Sequence, residues 1–200
     1  MERGFREGYA PLNRDDWKRI DQYEKKTGLQ VEEVEERCGG CFVFSRDPDG
    51  TLVVLMIEQR KDNYLFPKGH LDDGEDDITA AIRETFEETG VSVQREELAL
   101  DEPIYVRYSG AVKLHSGWWA KHPDYPDRTK RPLVIGHKTV AFYCAYLPVM
   151  EEGFPQDGEA LSVKWFPIRE ATKKLSGKAV DGWKQALNTN FLKNLMNSHP

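Results

Sequence analysis

Three glutamates and an arginine, Glu84, Glu87, Glu88 and Arg83, stand close together in the stretch GHLDDGEDDITAAIRETFEETGV from Gly69 to Val91. On a helix turning about 100° per residue, the three carboxylates fall within about one third of the circumference. Ile78, Ile82, Thr85 and Phe86 lie opposite, so one face is expected to pack while the other offers oxygen ligands to a cation. That arrangement suits hydrolysis of a diphosphate, whose negative charge repels an attacking hydroxide until divalent cations neutralise it. Mg²⁺ takes oxygen ligands in octahedral geometry, commonly a few carboxylates, waters and substrate phosphates. Glu84 and Glu88, four residues apart, can share ions, and Glu87 lies near enough to orient or deprotonate a water.

A charged helix face is usually only solvated. The entry to this helix sets it apart. Pro67-Lys68-Gly69 leads into an acidic loop that carries Glu75 eight residues before Arg83. The full pattern is G-x5-E-x7-R-E-x2-E-E-x-G followed by an apolar residue, and its chance occurrence in a chain of this length is on the order of one in a million or less.

This segment resembles the Nudix box, the signature of the Nudix hydrolases, with Thr85 at a position that is apolar or small in the family. The resemblance extends more weakly from about Arg37 to Leu175. It implies Mg²⁺-dependent hydrolysis, with Mn²⁺ as a substitute, of a diphosphate linked to another moiety. It assigns metal-ligand roles to Glu84 and Glu88, with Glu87 beside them, and to a main-chain carbonyl at Lys68 or Gly69. It also implies an ion pair from Glu75 to Arg83 bracing loop on helix. The family differs over which Glu acts as base, so Glu84, Glu87 and a later Glu159 are all catalytic candidates.

The elements that must hold these groups follow from residue patterning. Cys38 to Phe44 and Leu52 to Glu58 are apolar and β-branched runs separated by Asp47-Pro48-Asp49-Gly50, which predicts a β-hairpin. Tyr64 to Phe66 is a short extended piece leading into the motif. Leu98 to Tyr108, Lys138 to Leu147 and Leu161 to Phe166 supply further strands, and Ile168 to Leu175 and Val180 to Leu195 read as helices. The last carries Trp183, Leu187, Phe191 and Leu195 as a packing seam. The fold class is α/β, and the resemblance implies a Nudix-type α/β/α sandwich with a mixed β-sheet. Residues 1–35 are an N-terminal extension, partly helical, with Asn13 as a cap and Trp17, Ile20 and Tyr23 on one side. Residues 36–200 form the domain, with an insertion at about 108–137.

Within that insertion and its flanks, Arg107 to Lys138, seven Lys and Arg face only Asp124 and Asp127. Trp118, Trp119 and Tyr125 are interleaved among them. Such a stretch suits phosphates and a stacked base, and equally an irregular segment anchored by its tryptophans. Phe66-Pro67-Lys68-Gly69-His70 and the later Lys138-Thr139-Val140 strand resemble the asymmetric diadenosine tetraphosphate hydrolases of the family. That similarity implies Lys68 and Lys138 on the phosphate chain, His70 touching phosphate, and Phe142 or Tyr143 near a base. The His137-Lys138-Thr139 step is also similar to the diphosphoinositol polyphosphate hydrolases.

Composition narrows the remaining classes. A 39% hydrophobic content suits one domain with a real core, and no apolar run is long enough to span a bilayer. The N-terminal residues lack the apolar centre of a secretory signal, so a cytoplasmic protein is expected. A net charge of −6 argues against broad nucleic-acid binding. Cys38, Cys41 and Cys144 lack the fourth ligand of a structural zinc site, and inert thiols are expected. The expected partner is a small-molecule polyphosphate, with an RNA 5′ end as an alternative substrate and no membrane. A non-catalytic nucleotide- or RNA-binding module on the same fold is the competing class; it has no need of three convergent carboxylates.

Overall fold

The computed structural model describes residues 3–99, 102–114, 131–156, 158, 160–175, 178 and 180–197. The elements are α1 (Arg14–Thr27), β1 (Glu33–Arg46), β2 (Leu52–Arg60), β3 (Asn63–Leu65), β4 (Lys68–His70), α2 (Asp77–Thr89), β5 (Ile104–Lys113), β6 (Leu133–Tyr146), β7 (Ser162–Pro167), α3 (Ile168–Lys174), α4 (Val180–Asn188) and α5 (Asn190–Asn197). The fold is α/β with a mixed sheet in the order β3-β2-β1-β6-β5, to which β4 adds on β1 and β7 on β2. No helix among the described residues is long and apolar enough to cross a membrane.

The hairpin predicted at Asp47 to Gly50 forms as its turn chemistry dictates. The Asp47 carboxylate accepts the amides of Asp49 and Thr51 at 3.0 and 2.8 Å, and Gly50 takes φ +79°. The register that follows pairs Phe44 with Val54 and Arg46 with Leu52, and so fixes β1, the strand that carries Gly39 and Gly40.

The chain divides into two compact units, residues 1–36 with 107–139, and residues 37–106 with 140–200. In the first, α1 is capped by Asn13, whose side chain accepts the amides of Asp15 and Asp16 while Asp16 returns a bond to the Asn13 amide. This reciprocal capping box satisfies donors that a helix start otherwise leaves open. Ile20 is fully buried with Leu12, Val31, Ala111 and Ile135, and Trp17 and Tyr23 pack on the same cluster. His137 lies buried between the Ser109 hydroxyl and the Glu33 carboxylate, 2.9 Å from each.

In the second unit Cys41, Val43, Leu55, Ala81, Val91, Tyr143 and Ala145 make one cluster. A separate aromatic group stacks Phe42 on Phe142 with centroids 4.5 Å apart, and Phe66 and Trp183 close it at 5.0 Å from each other. Offset and tilted rings at such spacing add to the burial of their area.

Three expected boundaries move. The strand expected from Leu98 starts later: Arg95–Glu97 is a 3-10 turn, Leu98 makes a single bridge to Ala145, and β5 begins at Ile104, after Pro103, which has no amide to give a ladder. The stretch 108–137 begins and ends as strand, because β5 runs on to Lys113 and β6 starts at Leu133; its Trp118, Trp119 and Tyr125 lie outside the described residues. The last helix is two. The Thr189 amide closes on Ala186 O, and its hydroxyl accepts the amide of Leu192 at 3.2 Å, so a threonine cap starts a new helix where the sequence pattern suggests continuation.

Candidate active site

The site begins at two glycines inside β1. Gly39 pairs with Gly69 of β4, and Gly40 pairs with Lys68. A methyl group on Gly39 would stand 2.5 Å from both the Ala81 amide nitrogen and the Asp77 carbonyl oxygen, so α2 rests on bare backbone there. Gly69 serves the same end from the neighbouring strand, where a methyl would lie 1.9 Å from the Glu84 carboxylate. Gly40 points the other way, toward Pro67 O, Lys68 Cβ and Phe142.

Helix α2 is capped at its start by Asp76, which accepts the Thr79 amide at 2.8 Å, and ends at Gly90 with φ +69°. Its buried stripe is Ala80, Ala81, Thr85, Glu88 and Thr89, with the Thr85 hydroxyl donating to Ala81 O at 2.7 Å. This corrects the expected packing face. Phe86 is 46% exposed, and Ile78 and Ile82 are only half-buried. A helix lying this close to a strand has room for Ala and Thr on its contact line and none for a phenyl ring. The other end of α2 is held by the segment at 154–156: the Phe154 amide donates to Thr89 O at 2.7 Å and the Gln156 amide to Glu87 O at 3.0 Å. Both carbonyls are among those a helix end leaves without an internal donor.

Arg83 joins loop to helix. Its Nε and Nη2 donate to Glu75 at 3.0 and 2.7 Å, Nη2 also reaches His70 O at 2.8 Å, and Nη1 donates to both Glu84 and Glu87 at 2.8 Å. Glu88, only 4% exposed, accepts the Lys68 amide at 2.6 Å. The expected Glu75–Arg83 brace is therefore present, and the same guanidinium sits between two of the three expected ligands.

Charge states follow from these contacts. The Arg83 guanidinium holds the Glu75 carboxyl below the ordinary range. Burial pushes Glu84 up, and the Arg83 bond opposes that rise. The two have opposite consequences for stability. Glu75, lowered on folding, adds stability that is present above the unfolded carboxylate range and is lost as the pH falls through its folded value. Glu84, raised on folding, subtracts stability at neutral pH and stops doing so in acid. Glu75→Gln is therefore expected to lower the melting temperature at pH 7 and to flatten the acid limb of a pH–melting curve. Glu84→Gln is expected to melt no lower than wild type at pH 7.

Among the described residues no three His, Cys, Asp or Glu side chains converge on one point. The donors nevertheless fit a hard divalent cation. They are carboxylate oxygens, one of them desolvated against the bare backbone of Gly69, and a single positive nitrogen of Arg83 already draws Glu84 and Glu87 together.

The other expected residues are distributed differently. Lys68 and His70 are half-buried on β4, beside the carboxylates. Lys138 lies in the first unit, 3.1 Å from Glu36. Glu159 lies outside the described residues. Phe142 and Tyr143 are corrected: Phe142 is 1% exposed and stacked on Phe42, and Tyr143 is buried in the other cluster, so neither offers a face to a base. Both sit in the middle of a strand covered on its two sides, which alternation alone does not reveal. Phe142→Ala is expected to cost about 3–5 kcal/mol in a denaturant titration while leaving KM within about twofold. Gly39 and Gly40 are residues that sequence reasoning passed over; their signal was two glycines within a strand, which commonly marks close backbone approach.

A family model described as a NUDIX domain matches residues 37–185. Residues here are 44% identical to an RNA pyrophosphohydrolase of Dinoroseobacter shibae over 58 residues, 27% of this chain and 36% of that protein. They are 36% identical to the asymmetrical bis(5′-nucleosyl)-tetraphosphatase of Rattus norvegicus over 66 residues, 30% of this chain and 45% of that protein. The chain thus spans less than half the length of these two relatives. In structure it is similar to a C. elegans Ap4A hydrolase solved as a binary complex, with a TM-score of 0.51 and 21% identity over 76% of this chain and 94% of that one. That likeness is one of fold.

Proposed function

Because the chain belongs to the Nudix family, with a match from residue 37 to residue 185, we propose that it is a Mg²⁺-dependent pyrophosphohydrolase that cleaves a phosphoanhydride in a dinucleoside polyphosphate of the diadenosine tetraphosphate kind. The observation that carries this reading is the gathering of Glu84 and Glu87 on one Arg83 nitrogen beside the buried Glu88. Carboxylates collected in this way at the edge of a loop suit a cation-assisted displacement. Glu84, Glu87 and Glu88, with a carbonyl of Lys68 or Gly69, would hold the ion. When bound, Mg²⁺ screens phosphate charge and makes water a better nucleophile near neutral pH. Glu87, with its side chain 45% exposed, would be the base that takes a proton from the attacking water, and its bond to Arg83 would orient it. Lys68 is the first candidate to meet the phosphate chain, with His70 next to it and Lys138 a further one.

The similarity to RNA pyrophosphohydrolases favours a second substrate, the 5′ end of RNA. Diphosphoinositol polyphosphates are a third, from the His137-Lys138-Thr139 step. The proposed location is the cytoplasm, in keeping with three buried cysteines kept as thiols. The test is a Mg²⁺-dependent hydrolysis panel with product identification, containing diadenosine tetraphosphate, triphosphorylated and capped RNA, and diphosphoinositol compounds. Release of a nucleoside triphosphate and a monophosphate from diadenosine tetraphosphate, at least tenfold faster than cleavage of any other member, is the expected result. Metal-independent binding without turnover of any member would leave a nucleotide-binding module instead.

A further inference from the structure

We infer that Gly39 is a positioning residue for the carboxylate site: it sets how closely α2 approaches β1 and β4, and thereby where Glu84 and Glu88 stand relative to the Lys68–Gly69 backbone. The inference rests on the hydrolase reading for its kinetic consequence, while its structural part stands apart from that reading.

Directly paired residues of antiparallel strands face the same side of a sheet, so Gly39 and Gly69 together present a patch without side chains. Helix α2 lies across that patch. Asp77 O, Ala81 N and Ala80 C come within 2.5, 2.5 and 3.0 Å of where a Gly39 methyl would be, and one turn later the Glu84 carboxylate covers Gly69. The neighbours over Gly39 are main chain, which has no rotamer to swing aside. Any side chain at this position must therefore move the helix bodily. Two bonds record the resulting depth: the Lys68 amide to Glu88 at 2.6 Å, and the Arg83 guanidinium to His70 O at 2.8 Å. Both tie α2 to β4 and both lengthen if α2 is lifted. Gly39 touches none of the reacting groups; it acts through the helix.

Gly182 provides a matched control. A methyl there would also overlap a neighbour, Val106 Cγ2 at 2.2 Å, but on α4 and against a side chain, away from α2. The experiment compares Gly39→Ala with Gly182→Ala by amide hydrogen exchange and by steady-state kinetics. For Gly39→Ala, exchange at the Lys68 amide is expected to rise by on the order of tenfold or more, while the β1–β2 hairpin amides stay as protected as in wild type. Its kcat is expected to fall about a hundredfold with KM within about threefold, as misplacement by an ångström does. Gly182→Ala should show neither change even where its melting temperature falls as far. Unchanged Lys68 protection in Gly39→Ala, or equal losses in both variants, would overturn the inference. Should Gly39→Ala fail to fold, the wild-type protein still decides: the Lys68 and Ala81 amides must then open together, with one exchange free energy, and separate opening of α2 from β4 would overturn it. If wild type itself turns nothing over, the exchange arm reads the positioning role and the kinetic failure falls on the hydrolase reading alone.

Discussion

Glu88→Gln is expected to fold, to melt within about 3 °C of wild type, and to turn over its substrate on the order of a thousandfold more slowly at saturating Mg²⁺, a loss of about 4 kcal/mol in the transition state. The reason lies in what glutamine keeps. Glu88 is almost wholly buried and its Oε2 accepts the Lys68 amide, a role that an amide carbonyl of the same shape can fill. What glutamine lacks is the negative charge, and a carboxamide is a far poorer partner for a hard cation. The effect should therefore appear in turnover and in Mn²⁺ affinity, measured by titration, and scarcely in thermal melting. A folded Glu88→Gln protein that retained the wild-type rate would remove the cation site from this helix.

Arg83→Ala is expected to do damage on both axes, lowering stability by about 3 kcal/mol and kcat by about a hundredfold. Five hydrogen bonds from one guanidinium hold Glu75, Glu84, Glu87 and the His70 carbonyl. Glu75 keeps only 9% of its side chain exposed and Glu84 only 14%, so removal of the cation leaves two poorly solvated charges facing each other across the loop. Arg83→Lys should recover less than half of either loss. An ammonium is a point charge and cannot span Glu75 on one side and Glu84 with Glu87 on the other, which the planar fork does. Thermal melts with kinetics on the three proteins, wild type, Ala and Lys, test this; full rescue by lysine would show that charge alone suffices and that the fork geometry is immaterial.

What was legible in the sequence was whatever local chemistry determines. Asp47 to Gly50 announces a turn because Asp47 can bond its own backbone and Gly50 tolerates a left-handed conformation. Gly90 announces the end of α2 for the same reason, and the eight-residue step from Glu75 to Arg83 is short enough for loop and helix to meet. Long-range packing was not legible. Phe86 reads as core by helical spacing, yet the contact line of α2 is set by how near a strand can come, and that depends on Gly39, far away in the chain. Phe142 reads as a base platform by analogy, yet Phe42 stacks on it and Phe66 meets it edge-on. The split at Thr189 escaped because threonine is tolerable within a helix as well as at its start. Residues 1–36 and 107–139 share one compact unit through contacts such as the Asp16 carboxylate with the Ala111 amide at 3.1 Å, a pairing across 95 positions that periodicity cannot foresee.

The three thiols bear on handling the protein at the bench. Cys38, Cys41 and Cys144 are each 2% exposed or less, and burial pushes Cys41 and Cys144 up to about 12. An alkylating reagent therefore meets almost no thiolate at Cys41 and Cys144, and Cys38 is shielded by burial, while the second unit stays closed. The rate at which mass spectrometry sees all three sulfurs labelled becomes a clock for opening of that unit, read without dye, denaturant or engineered tag.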